Sequence, residues 1–169
     1  AYGMELLISD VLNTIIVLLI ALFSHTLPAV VVFIAVFMGL RQFVGGFHAN
    51  SHLSCMFTLV MVMMVFSYGI CNVSGHITPI FSISFIMIAL PIILCIAPVP
   101  HPNKPMSEEK SVKLRKRSCI LAVTLSVVTI ALLVFQYQKL SLYVSSGMLL
   151  SAIMALLGHF LNRGDNSKR

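Results

Sequence analysis

At 169 residues, with 59% of side chains hydrophobic and 9% charged, the chain has too little polar surface to cover a water-soluble globule. A mean hydropathy of +1.01 agrees, and the expected fold class is all-α, a polytopic integral membrane protein whose solvent is the bilayer. The formal charge of +6 lies in short stretches between apolar segments, where basic residues meet anionic lipid or fix orientation, so no nucleic-acid partner is expected.

Crossing roughly 30 Å of hydrocarbon takes about 20 mostly apolar residues. Six stretches are expected as transmembrane or re-entrant helices: 4–24, 27–40, 53–71, 76–97, 118–137 and 139–161. The first is long and carries Glu5 and Asp10 near its start, unlike a cleavable signal peptide, and a beginning at Ala1 instead of Met leaves room for a preceding segment. His25-Thr26-Leu27-Pro28 signals its end. The second segment is short enough to be tilted or re-entrant. It leads into a loop over 41–55 that contains Gly45-Gly46. Val73-Ser74-Gly75 closes the third, and a Pro-rich stretch from Pro98 to Pro105 closes the fourth and opens a basic loop, 98–117. With six spans, Arg41, Lys104, Lys110, Lys113, Arg115, Lys116, Arg117, Arg163, Lys168 and Arg169 all fall on one side, which the positive-inside rule makes the cytoplasm. Lys139 alone is left outside, and both termini are cytoplasmic. The expected organisation is a single membrane domain, 1–169, in the cell membrane. Its free helix surface leaves room for a homodimer.

Cys55, Cys95 and Cys119 lie near the cytoplasmic ends of their segments, where thiols stay reduced, and Cys71 has no evident external partner. Cys71, Cys95 and Cys119 read as packing residues.

The chemistry concentrates in the 41–55 loop, which sets Arg41, His48, His52 and Cys55 against two apolar segments. Ionisable groups at the edge of hydrocarbon are costly and therefore suggest function. If Asn50 or Ser51 caps the third helix, Cys55 lies about one turn inside it, where helix amides and the positive end of the dipole favour a thiolate. An imidazole completes a Cys/His nucleophilic pair. Seven residues of unbroken helix would separate His48 from Cys55 by about 10 Å. Gly45 and Gly46 give the backbone freedom to fold His48 back, whereas His52 reaches Cys55 at i−3 without a break. Amides at the start of the third segment, around Ser51, are candidate oxyanion donors. Arg41 adds charge or holds an acidic substrate tail. The loop has no carboxylate to orient His48, which leaves Glu5 or Asp10 as candidates for that task. Lys104, Lys113, Arg115 and Lys116 either attract an acidic substrate tail or anchor the topology.

Arg41, Gly46-Phe47-His48-Ala49 and Cys55, with Ala97-Pro98, Asn103-Lys104-Pro105, the basic run to Arg117 and an opening Gly3-Met4, resemble the accessory gene regulator protein B family, membrane cysteine endopeptidases of Gram-positive quorum sensing. The resemblance implies Cys55 as nucleophile, His48 as its base, and a small precursor peptide as partner. That peptide is cut toward its C-terminal side and cyclised to a thiolactone or lactone. No cofactor is implied.

Two other readings stay open. His48, His52 and Cys55 at i, i+4 and i+7 share one helix face and suit zinc, but Ala49 follows His48, so the HExxH pattern and its glutamate are missing and no metal is expected. A small transporter would place polar or broken helices near the midplane, where Pro91 is the main interruption.

Overall fold

A computed structural model describes residues 2–23, 25–44, 61, 65, 69, 78–98 and 108–166. Among the described residues every regular element is a helix: α1 (Tyr2–Phe23), α2 (Leu27–Val44), α3 (Thr78–Ile96), α4 (Glu108–Val134) and α5 (Gln138–Asn166). Among the described residues α2, α3, α4 and α5 are long and apolar enough to cross a membrane. α1 contributes the shorter apolar stretch Thr14–Phe23. The expected segment 53–71 lies outside the described residues apart from Met61, Val65 and Gly69.

Two expectations about loops are corrected. α2 runs to Val44, so Arg41 belongs to its last helical turn and not to a loop. The helix continues because Phe33, Phe37, Leu40 and Val44 form one buried stripe at helical spacing, and burying that stripe needs the final turn. α4 begins at Glu108, so Lys113, Arg115, Lys116 and Arg117 lie on a helix that runs without interruption into the apolar span. Glu, Lys, Leu and Arg are good helix formers, and Lys113 Nζ meets Glu109 Oε1 at 2.6 Å across one turn.

The chain forms two compact units, Ala1–Val31 with His48–Ser74, and Val32–Phe47 with Gly75–Arg169. In the first, α1 ends and α2 starts through a single turn. His25 N–H donates to Leu22 O at 3.3 Å and Thr26 N–H to Ala21 O at 3.0 Å, a Schellman cap with His25 in the left-handed region at φ 54°. Thr26 then accepts the first α2 bond from Val30 N–H at 3.0 Å, so one residue closes one helix and caps the next. Val17, Ala21, Ala29 and Val30 are the buried apolar residues described in this unit.

The second unit repeats that turn between α4 and α5. Gln136 N–H donates to Leu133 O at 3.1 Å and Tyr137 N–H to Leu132 O at 2.8 Å, with Gln136 at φ 65°. Tyr137 O accepts from Ser141 N–H at 3.1 Å to begin α5. The sequence reading placed this break near residue 138 with no Gly or Pro to mark it.

The core of the second unit joins α2 (Leu40, Val44), α3 (Ala89, Ile93, with Ala97 just beyond), α4 (Ala122) and α5 (Met148, Ala152, Ala155). Small residues let these backbones approach, which is how membrane helices gain packing without a hydrophobic drive between them. Gly147 of α5 packs closely on α2: a Cβ there would lie 3.0 Å from Phe33 O and 3.1 Å from the Val36 side chain. Buried hydroxyls are satisfied within the bundle. Ser126, Thr129 and Ser151 donate to their own i−4 carbonyls, and Ser82 and Ser141 share a hydrogen bond of 3.0 Å between α3 and α5. Among the described residues no buried side-chain polar atom lacks a partner. Helix α3 runs from Thr78 to Ile96 through Pro91 without interruption, unlike the broken helices a transporter would show.

Candidate functional site

The site is approached from the end of α2, because the chain leaves this helix at Val44 toward His48 and Cys55. Leu40 and Val44 are fully buried in the core against α3 and α5, so the end of α2 is fixed by packing on two helices. The same core joins the C-terminal ends of α2 and α3, which places Arg41 at the bundle end where α3 finishes.

Arg41 is half-buried. Its guanidinium carbon lies 5.6 Å from the centroid of the Phe37 ring, one turn back along α2. Side chains on a helix lean toward its N-terminus, so this contact draws the charge back along the bundle instead of letting it extend past the helix end. Phe37 is itself held, 1% exposed and stacked on Phe33 with centroids 6.3 Å apart and planes at 15°. The result is a cation at a defined position in the last turn of α2, resting on a fixed aromatic face. An ion pair is formed between Lys113 and Glu109 at the start of α4. Phe37 was not singled out as a site residue by sequence reasoning, although its i−4 spacing from Arg41 carries the signal.

Gly46, His48, Ser51, His52 and Cys55 lie outside the described residues, as does Lys104. Glu5 and Asp10 fall within α1, in the other unit. Lys113, Arg115 and Lys116 are exposed near the start of α4. Of the cysteines read as packing, Cys119 is half-buried, but Cys95 is exposed on the last turn of α3 and does not fill the core. Cys71 lies outside the described residues.

Among the described residues the protein is all-helical, with four helices long and apolar enough to cross a membrane. The model of the accessory gene regulator B family matches residues 1–155, nearly the whole chain, and the chain belongs to that family. It is also similar to an AgrB-like protein of Clostridium beijerinckii, 24% identical over 116 residues, a match that covers 67% of this chain and 56% of that protein. The chain therefore spans little more than half the length of the curated relative it matches. No solved structure matches it.

Proposed function

We propose that this protein is a membrane cysteine endopeptidase of accessory gene regulator quorum sensing, acting on a small precursor peptide like those its family is known to process. The observation that carries the reading is the family match over residues 1–155, which includes Arg41, Gly46-Phe47-His48-Ala49 and Cys55. Support comes from the end of α2, which packing on α3 and α5 fixes and where Phe37 holds the Arg41 charge.

The chemistry follows from the residue types. His48 takes the proton of Cys55, and the thiolate attacks the scissile carbonyl of the precursor. Amides at the start of the third apolar segment stabilise the oxyanion. The carbon–nitrogen bond breaks, His48 returns its proton to the leaving amine, and the N-terminal part of the precursor remains on Cys55 as a thioester. A thiol in that part then attacks the thioester, Cys55 leaves as thiolate, and a thiolactone ring closes; a hydroxyl would give a lactone. One thioester replaces another at nearly equal energy, so the thiolactone needs no nucleotide provided water is kept away, which the membrane edge favours. Arg41 receives the acidic part of the precursor.

Co-expression with a C-terminally tagged precursor tests this reading. Wild-type protein is expected to release the tag, while Cys55→Ala and His48→Ala leave the precursor whole at equal expression. Release of the tag by Cys55→Ala at the wild-type rate would remove the peptidase reading.

A further inference from the structure

Helix α4 carries two stripes along its length. Ser118, Ala122, Ser126 and Thr129 are buried against the bundle. On the other side Ile120, Val123, Val127, Ile130 and Val134 are 46–71% exposed, the face that hydrocarbon must cover. At about 100° per residue, Lys113, Lys116 and Arg117 continue this exposed face, since 113, 116, 117, 120, 123, 127, 130 and 134 follow one another at steps of three, four and one. All three cations are exposed; Arg115, also exposed, lies on the side of the buried stripe and is not part of this face.

Their height fits as well. Ser118 to Val134 spans about 25 Å at 1.5 Å per residue, close to the thickness of the hydrocarbon, and the helix rises only about 6 Å further from Arg117 to Lys113. That is the depth of one headgroup layer. Lys and Arg stems lie along apolar surface while their charges reach the phosphates.

We infer that Lys113, Lys116 and Arg117 form a basic collar on α4 that binds the headgroups of anionic phospholipids. The cations stand on the face that meets lipid, above the residues that touch the acyl chains, and this favours lipid over an acidic peptide. Such a peptide would need a surface clear of the bilayer. Glu109 engages only Lys113, and both partners are exposed, so that pair competes weakly with lipid. The inference stands apart from the peptidase reading and survives its failure.

Native mass spectrometry of the full chain in detergent, titrated with phosphatidylglycerol or phosphatidylcholine, tests it. Wild-type protein is expected to prefer phosphatidylglycerol by about tenfold or more, since each surface cation contributes on the order of fivefold. The preference should shrink as salt rises. Lys113→Gln, Lys116→Gln and Arg117→Gln combined should abolish it while the melting temperature stays near wild type. If the variant does not fold, the wild-type salt series still decides. Equal binding of both lipids, a salt-insensitive preference, or full preference in a folded triple variant would each overturn the inference. So would displacement of phosphatidylglycerol by a soluble poly-glutamate peptide at micromolar concentration, which would make the collar a peptide site.

Discussion

Arg41 shows how a charge at a helix end is held by the helix's own aromatic residue. A charge at the edge of hydrocarbon is costly to leave without favourable contacts, and here it rests on the Phe37 ring at 5.6 Å. If its task is to receive the acidic part of the precursor, Arg41→Gln should raise KM for precursor cleavage about tenfold with a smaller effect on kcat, whereas Arg41→Lys keeps the charge and should lose less. An equal fall in kcat and kcat/KM would instead place Arg41 in the transition state. The residue was legible in the sequence as a candidate, but its setting was not. Read alone, Arg41-Gln42 ahead of Gly45-Gly46 looks like the start of a loop. Only the stripe Phe33, Phe37, Leu40 and Val44, closed on α3 and α5, shows why the helix continues past it.

The helices divide into features the sequence announces and features it hides. α3 was expected over 76–97 and observed as Thr78–Ile96, because an apolar run bounded by Gly75 and Pro98 leaves little choice. The turns are different. His25 and Gln136 both adopt left-handed backbone conformations at Schellman caps, where glycine is the usual residue, and a non-glycine residue there costs roughly 1 kcal/mol. Gln136→Gly should therefore raise the melting temperature in detergent or leave it unchanged, and Gln136→Val should lower it. The opposite order would contradict the assigned cap.

Gly147 gives a sharper test of how α2 and α5 meet. An added methyl would lie 3.0 Å from the Phe33 backbone oxygen, which cannot yield without moving α2. Gly147→Ala should destabilise the protein by about 1–3 kcal/mol. Gly39→Ala, where no atom lies within 4 Å, should be neutral or stabilising. Equal effects of the two would mean that this close approach is not the packing contact. Composition gives no hint of it, since Gly39 and Gly147 look alike in an apolar run; three-dimensional proximity alone separates them.

For the whole molecule, composition points to the bilayer as solvent, and from the charge distribution we propose an orientation with both termini cytoplasmic. That orientation predicts that a phosphatase fused after Asn166 is inactive in cells and a fluorescent protein at the same point is bright; the reverse pattern would invert the topology and put the C-terminal end of α2 outside. The helical start of α4 was missed because charged residues suggest a loop, although the same residues are strong helix formers. The central claim is that Cys55 carries the precursor as a thioester. Its most direct test is the intact mass of purified protein co-expressed with a precursor whose ring-closing thiol is replaced by alanine, so that the acyl-enzyme cannot discharge by cyclisation. The account predicts an added mass equal to the N-terminal precursor fragment, removed by neutral hydroxylamine and absent from Cys55→Ala. Cleavage of the precursor without such an adduct, or an adduct that persists in Cys55→Ala, would contradict it.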